Sequence, residues 1–235
     1  MKTTEAILLA GGFGTRLKHI VNDLPKPMAP INGIPFLSYL MKKMSHAGIQ
    51  HIVLSTGFLH EKIESFYKNS FEGMKISYAR ETEPLGTGGA IMFSLKKTTT
   101  DNVLILNGDT LFDIDFAYFN AFYQSKKTML AVALRKLNDV SRYGSVSIDN
   151  TGKIIAFAEK NLSTGEGLIN GGIYLLNKNE LKNIHLPKTF SFEKEILEKL
   201  YKENDFYGMP FDDYFIDIGI PEDYKRAQYE FSTCL

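Results

Sequence analysis

The chain has 235 residues, of which 44% are hydrophobic and 23% charged, proportions that let a globular protein bury a core without disulfides. Its 27 basic and 27 acidic residues cancel, which argues against a basic nucleic-acid surface and leaves anionic ligands to a few placed groups and backbone amides. The one cysteine, Cys234, closes no intrachain bridge, and the first apolar run, Ala6 to Ala10, is too short to cross a bilayer and lacks a cleavage site; a cytoplasmic protein without membrane contact is expected.

Glu5 to Ala10 is an apolar run ending in glycines and reads as a buried strand, with a glycine-rich loop, Gly11 to Thr15, behind it. Ile34 to Ala47 has apolar residues at helical spacing (Phe36, Leu40, Met44, Ala47) and a stop at Gly48. A strand follows over His51 to Thr56, a helix over His60 to Tyr67 and a strand over Lys75 to Arg80. Gly89 to Lys97 reads as a helix and Val103 to Leu106 as a strand, ending at Asn107-Gly108-Asp109. Phe116 to Lys126 is helical, with Asp113 and Asp115 placed to cap it, and Met129 to Leu134 is a fifth strand.

This alternation predicts an α/β fold with a mostly parallel sheet. Ligands in such folds bind beyond the carboxyl ends of the strands. The Gly11 loop and Asp109 both follow strand ends, so they are expected to share one crevice. After Leu134 the pattern changes. Ser145 to Ile148 and Lys153 to Ala158 flank the turn cluster Asp149-Asn150-Thr151-Gly152 and read as a hairpin. Leu168 to Leu176 is a strand, Phe192 to Tyr201 a helix, Tyr214 to Ile218 a short strand, and Pro221 opens a last helix. With no linker and no repeat, residues 1–235 are expected to form a single domain. Residues 1–134 would hold nucleotide, and a small β-rich substrate lobe in residues 135–235 would extend the same sheet.

Two motifs carry the chemistry. In Leu9-Ala10-Gly11-Gly12-Phe13-Gly14-Thr15-Arg16-Leu17, glycines let backbone N–H groups turn toward an anion, and Arg16 adds a forked donor suited to phosphate. The loop is not a Walker motif, which needs Gly-Lys-Ser/Thr. Nor is it a dinucleotide fingerprint, because Leu17 stands where a third Gly or Ala belongs. Alone, it would equally suit a tight turn. In Leu24-Pro25-Lys26-Pro27-Met28, a lysine between two prolines is expected on stiff, extended backbone that fixes its reach; alone, a surface lysine in a proline turn explains it as well.

Together, Gly-Gly-x-Gly-Thr-Arg-Leu followed by Pro-Lys-Pro-Met resembles the sugar-phosphate nucleotidyltransferase family. The likeness runs from Ala6 to Tyr224 and is greatest to the guanylyltransferases acting on heptose and mannose 1-phosphates. The resemblance implies a Rossmann-like three-layer αβα fold. It implies coupling of GTP with a sugar 1-phosphate, D-glycero-α-D-manno-heptose 1-phosphate favoured, to give a GDP-sugar and pyrophosphate for surface polysaccharide; dTTP, UTP or CTP with another phosphorylated substrate is the alternative. By the same resemblance Leu9, Ala10, Gly11, Gly12, Gly14 and Thr15 wrap the nucleotide, Arg16 holds its outer phosphates, and Lys26 stabilises charge on the α-phosphate. Pro84, Gly86, Thr87 and Gly108 belong to nucleotide-binding segments. Asp109 and Asp217 are the Mg²⁺ ligands. Gly144, Glu159, Lys160, Asn170 and Tyr174 form the sugar-phosphate pocket. A homodimer is also within the family's range.

The residue types fit these roles. Mg²⁺ takes a few carboxylates and completes its shell with phosphate and water. His19, His46, His51, His60 and His185 show no metal-ligand spacing. An ionised Glu81 only accepts hydrogen bonds. Guanine offers N1–H and an exocyclic amino group on one edge, whereas uracil and thymine would turn an acceptor toward the carboxylate, so Glu81 favours GTP. A regulatory subunit that kept only the fold would be expected to lose Arg16, Lys26, Asp109, Lys160 or Asp217, and all five are present.

Overall fold

Period-two alternation builds two cores from one sheet. In the first strand Ala6 and Leu8 enter one core and Ile7 the other, and all three are fully buried. The same split recurs at Leu104 and Leu106 against Val103 and Ile105, and at Ala131 and Ala133 against Leu130, Val132 and Leu134. A strand buried on both faces reads as a continuous apolar run, which is why these segments were legible in the sequence.

The computed structural model describes residues 3–12, 23–141, 143–158 and 164–234. The first half comprises β1 (Glu5–Leu9), a 3-10 turn (Lys26–Met28), the short pair β2 (Pro30–Ile31) and β3 (Ile34–Pro35), α1 (Phe36–His46), β4 (His51–Thr56), α2 (His60–Tyr67), β5 (Ser70–Phe71), β6 (Met74–Arg80), α3 (Gly86–Leu95), β7 (Asn102–Asn107), β8 (Thr110–Phe112) and α4 (Phe116–Lys126). Then come β9 (Leu130–Leu137), β10 (Ser145–Ile148), β11 (Ile154–Ala158), β12 (Gly167–Asn177), α5 (Lys178–Leu181), a π-helix (Glu193–Leu197) running into α6 (Glu198–Leu200), β13 (Tyr207–Phe211), β14 (Phe215–Asp217) and α7 (Pro221–Cys234).

Among the described residues ten strands join one sheet. Its main path is β11-β10-β12-β7-β1-β4-β6-β5, and β9 and β13 branch from β12. The centre is parallel: β1 pairs with β4 and β7, and β4 with β6. β12 reverses direction against β7 and carries β9 and β10. Helices α1, α2, α4 and α7 cover one face, while α3 and the π-helix cover the other. This is the α/β architecture expected from the alternation, in the three layers that the resemblance implied. The chain crosses from one parallel half into the antiparallel lobe without leaving the sheet. No described helix is long and apolar enough to cross a membrane.

Some local expectations change. Lys26 does not sit on extended backbone. Only Pro25 does, and Lys26 opens a 3-10 turn in which Met28 N–H bonds Pro25 O (2.8 Å) and Ala29 N–H bonds Lys26 O (3.0 Å). Pro27 fits there because the first turn of a helix needs no N–H from it. Asp115 caps α4, accepting from Ala117 and Tyr118 N–H. Asp113 is no cap and pairs instead with Lys43.

Candidate active site

Four parallel strands end on one crevice. Leu9 closes β1, Ser55 lies at the end of β4, Glu81 follows β6 and Asn107 closes β7; all four line a cleft of about 550 Å³. The expected sharing of one crevice by the Gly11 loop and Asp109 is met, for Gly11, Gly12 and Asp109 line the same cleft. So do Lys26, Pro84, Gly86 and Thr87. Gly14, Thr15, Arg16, Glu159 and Lys160 lie outside the described residues.

The backbone crossings are close enough to demand glycine. Gly108 N–H bonds Leu9 O (3.0 Å), and a β-carbon on Gly108 would lie 2.4 Å from that oxygen. Ala10 N–H bonds Ser55 O (2.8 Å) while its methyl is buried in the core. Ala10 therefore contributes backbone placement, and its side chain does not reach the cleft.

At the floor of the cleft Lys26 stands between two carboxylates. Its Nζ is 2.5 Å from Asp109 Oδ2 and 3.7 Å from Asp217 Oδ1. The chain brings these aspartates together by a small antiparallel pair: β14 runs against β8 with Thr110 opposite Asp217, and Ile218 N–H bonds Asp109 O (3.0 Å). Asp217 Oδ1 also accepts from Gly219 N–H (2.7 Å). A side chain on Gly219 would collide with both Lys26 Nζ (2.6 Å) and Asp217 Oδ1 (2.7 Å). The next two residues of its 3-10 turn, Pro27 and Met28, are buried, and Pro27 lines the cleft beside it. The result is one cation and two hard anionic donors fixed at a strand-end crevice.

Glu81 lines the same cleft. Its Oε1 accepts from Ser55 Oγ (3.2 Å) and its Oε2 from Leu85 N–H (3.1 Å). Burial pushes its carboxyl above the ordinary range, more than these two bonds pull it down. Each oxygen has two lone pairs and spends one on the protein, so the group keeps the capacity to accept two further donors side by side.

The β12 segment brings the lobe to the cleft. A bulge between Asn170 and Ile173 interrupts its pairing with β9, and Gly172, at φ +74°, packs where a β-carbon would meet the Asn107 amide at 2.7 Å. Asn170 Oδ1 accepts from Gly172 N–H (3.0 Å), and its Nδ2 donates to the Tyr174 hydroxyl (2.8 Å). Tyr174 does not line a sugar pocket as expected. It is 1% exposed, its ring meets Phe192 edge-on at 5.0 Å, and it belongs to the core beneath the sheet. The strand's alternation sends it there, and its hydroxyl accepts from Asn170. Gly144 packs on Ala158 O, where a β-carbon would lie 2.9 Å away, just ahead of Glu159.

Sequence reasoning passed over Ser55, Gly57, Phe58 and Asn107, which also line the cleft. The signal for the first three was a glycine directly after a strand that neighbours the Gly11 strand.

A family model for nucleotidyl transferases matches residues 5–233, and the chain belongs to that family. It is 48% identical over 226 residues to the D-glycero-alpha-D-manno-heptose 1-phosphate guanylyltransferase of Aneurinibacillus thermoaerophilus, covering 96% of this chain and 97% of the relative. To the protein of that same description from Campylobacter jejuni it is 46% identical over 220 residues, covering 94% and 96%. The crystal structure of HddC from Yersinia pseudotuberculosis complexed with GMP-PN superposes with a TM-score of 0.86 at 37% identity, covering 97% of this chain and all of that one.

Proposed function

We propose that this chain is a Mg²⁺-dependent guanylyltransferase that joins GTP to D-glycero-α-D-manno-heptose 1-phosphate, releasing pyrophosphate and forming the GDP-sugar. The observation that carries the choice of substrates is the 46% and 48% identity, over nearly the whole of both chains, to two relatives named for this reaction. The geometry supports the chemistry independently. A cleft lined by Glu81 as well as by Lys26 and Asp109 suits a substrate that combines a purine offering two donors with phosphates that need positive charge.

The sugar phosphate oxygen is already an anion, so attack on the α-phosphorus needs no general base. The obstacle is bringing two anions together, and catalysis is positioning plus neutralisation of charge. Lys26 meets the charge that builds on the α-phosphate. Arg16 holds the outer phosphates, Lys160 the sugar phosphate, and Glu159 and Asn170 the sugar. Asp109 and Asp217 would hold the metal: both are carboxylates, both face the Lys26 ammonium, and among the described residues no cluster of three or more His, Cys, Asp or Glu competes for it. Two hard ligands leave room for phosphate and water, as Mg²⁺ requires. When bound, the ion neutralises phosphate charge as pyrophosphate leaves.

The test is pyrophosphate release with Mg²⁺ across GTP, ATP, CTP, UTP and dTTP, each paired with heptose, mannose and glucose 1-phosphates. Release confined to GTP and a manno-configured sugar supports the reading. Release with another pair keeps the reaction and discards the substrates. Chelation of the metal should abolish release and added Mg²⁺ restore it; turnover that survives chelation removes the metal from the proposal.

A further inference from the structure

The run Gly86-Thr87-Gly88-Gly89 is glycine-rich for a reason other than ligand access. A β-carbon on Gly86 would lie 2.5 Å from Phe190 O, one on Gly88 2.1 Å from the Phe190 ring, and one on Gly89 2.5 Å from Lys188 O. The bare sides of all three glycines are pressed against residues 188–190. The two segments are also bonded by backbone, Phe190 N–H to Leu85 O (3.0 Å) and Gly88 N–H to Phe190 O (2.9 Å), and by the Glu83–Lys188 ion pair.

The one side chain in that run is tied to the same strap. Thr87 Oγ1 accepts from Phe192 N–H (2.8 Å) and donates to Glu193 Oε2 (2.7 Å), which also accepts from Ser191 Oγ (2.7 Å). Glu193 opens the π-helix, whose wide turn is closed by Glu198 N–H on Glu193 O; such turns are frequent at functional sites. Gly86 and Thr87 meanwhile line the cleft. The first turn of α3, which has no side-chain cap of its own, is therefore held from the rear by a carboxylate more than a hundred residues away.

We propose that Glu193 is a positioning residue for nucleotide binding: acting through Thr87, it fixes the first turn of α3 as a wall of the cleft. This rests on reading the cleft as the nucleoside triphosphate site. Loss of one hydrogen bond to a charged group corresponds to roughly a tenfold change in binding, so Glu193→Ala raises KM for GTP by about that factor while kcat changes little. Glu193→Gln keeps an oxygen that accepts from Thr87 and restores most of the affinity.

The deciding experiment is a double-mutant cycle on KM for GTP with Thr87→Val and Glu193→Ala, together with hydrogen exchange of the backbone amides of residues 83–92 without ligand. The double variant should bind no worse than the weaker single one, and Glu193→Ala should speed exchange in that segment. Additive losses in the cycle, or exchange equal to wild type, overturn the proposal, whatever happens to the melting temperature. A wild-type chain that takes no nucleoside triphosphate overturns the proposed function instead. The exchange measurement then decides the coupling alone, faster exchange supporting it and unchanged exchange sinking it.

Discussion

A β-carbon on Gly11 would lie 2.6 Å from Glu81 Oε1, so the start of the glycine loop and this carboxylate are packed against each other in the cleft. On the proposed reading the first glycine of the motif serves the base end of the nucleotide as well as the phosphates. Gly11→Ala must push Glu81 aside or lift the loop off it, and either displaces two acceptors proposed to face guanine. Hydrogen bonds to a charged group contribute about 1.5–3 kcal/mol each, so the preference for GTP over ATP in kcat/KM should fall at least tenfold. Equal losses for both nucleotides would show that Gly11 serves the phosphates only.

On the proposed reading Glu81 also gives base selection a pH dependence. Burial raises its carboxyl above the ordinary range against the bonds from Leu85 and Ser55. A protonated carboxyl donates where the ionised one accepts, so GTP selectivity should decline as pH falls, beginning at a higher pH than an ordinary glutamate would allow. Glu81→Gln should relax base choice at every pH and flatten the profile. The ratio of kcat/KM for GTP to that for UTP, followed across pH in both proteins, tests this. An unchanged GTP preference in the Gln variant would remove Glu81 from base recognition.

At the far end of the same strands a second buried carboxylate acts on stability. Glu5 Oε2 accepts from Thr99 N–H (2.7 Å), Thr100 N–H (2.6 Å) and the Thr100 hydroxyl (2.8 Å), while Oε1 meets His51 Nδ1 at 2.7 Å. Burial alone would raise its carboxyl, but the bonds from His51, Thr100 and Thr99 together outweigh it and hold it at about 2. A depressed folded-state value stabilises the protein fully above the ordinary glutamate range, and that contribution is lost as pH falls from about 4.5 toward 2. Glu5→Gln, whose amide cannot accept from every one of these donors, should be less stable than wild type at pH 7 by about 1.5–3 kcal/mol. The gap measured by denaturant unfolding should narrow below that window's upper edge. A gap that is the same at low pH assigns the effect to packing.

What the sequence disclosed follows from how each residue is constrained. Strands buried on both faces announce themselves, and β4, α2, α4 and β10 have the bounds their apolar pattern predicted. Where tertiary contacts outrank local preference, the pattern misled. α3 starts at Gly86 and not Gly89, because residues 188–190 hold a glycine run that would not stay helical alone. β13 carries Gly208 and Pro210 and was passed over; β9 is the one strand of the described residues that it pairs with, apart from a single bridge from Tyr207 to Lys153, and an edge strand tolerates a proline that a central one does not. The crevice was legible from two motifs at strand ends. Glu193, lying in what read as an ordinary helix, had no local signal, because its partner Thr87 is distant in the chain.

Lys26 offers the sharpest test of the chemistry. Its ammonium pairs with Asp109 and Asp217, which holds it at the cleft beside the two carboxylates proposed to take the metal. A group that meets charge present mainly in the transition state lowers the barrier more than it tightens substrate binding. Lys26→Ala should therefore lower kcat by about 10²–10³ and change KM for GTP much less. Lys26→Arg should recover little, because a planar forked guanidinium does not reproduce a point charge set between two carboxylates 2.5 and 3.7 Å away. Steady-state kinetics of both variants decide the matter. If KM rises and kcat is unchanged, Lys26 binds substrate and transition state alike, and the charge-stabilising role passes to another group.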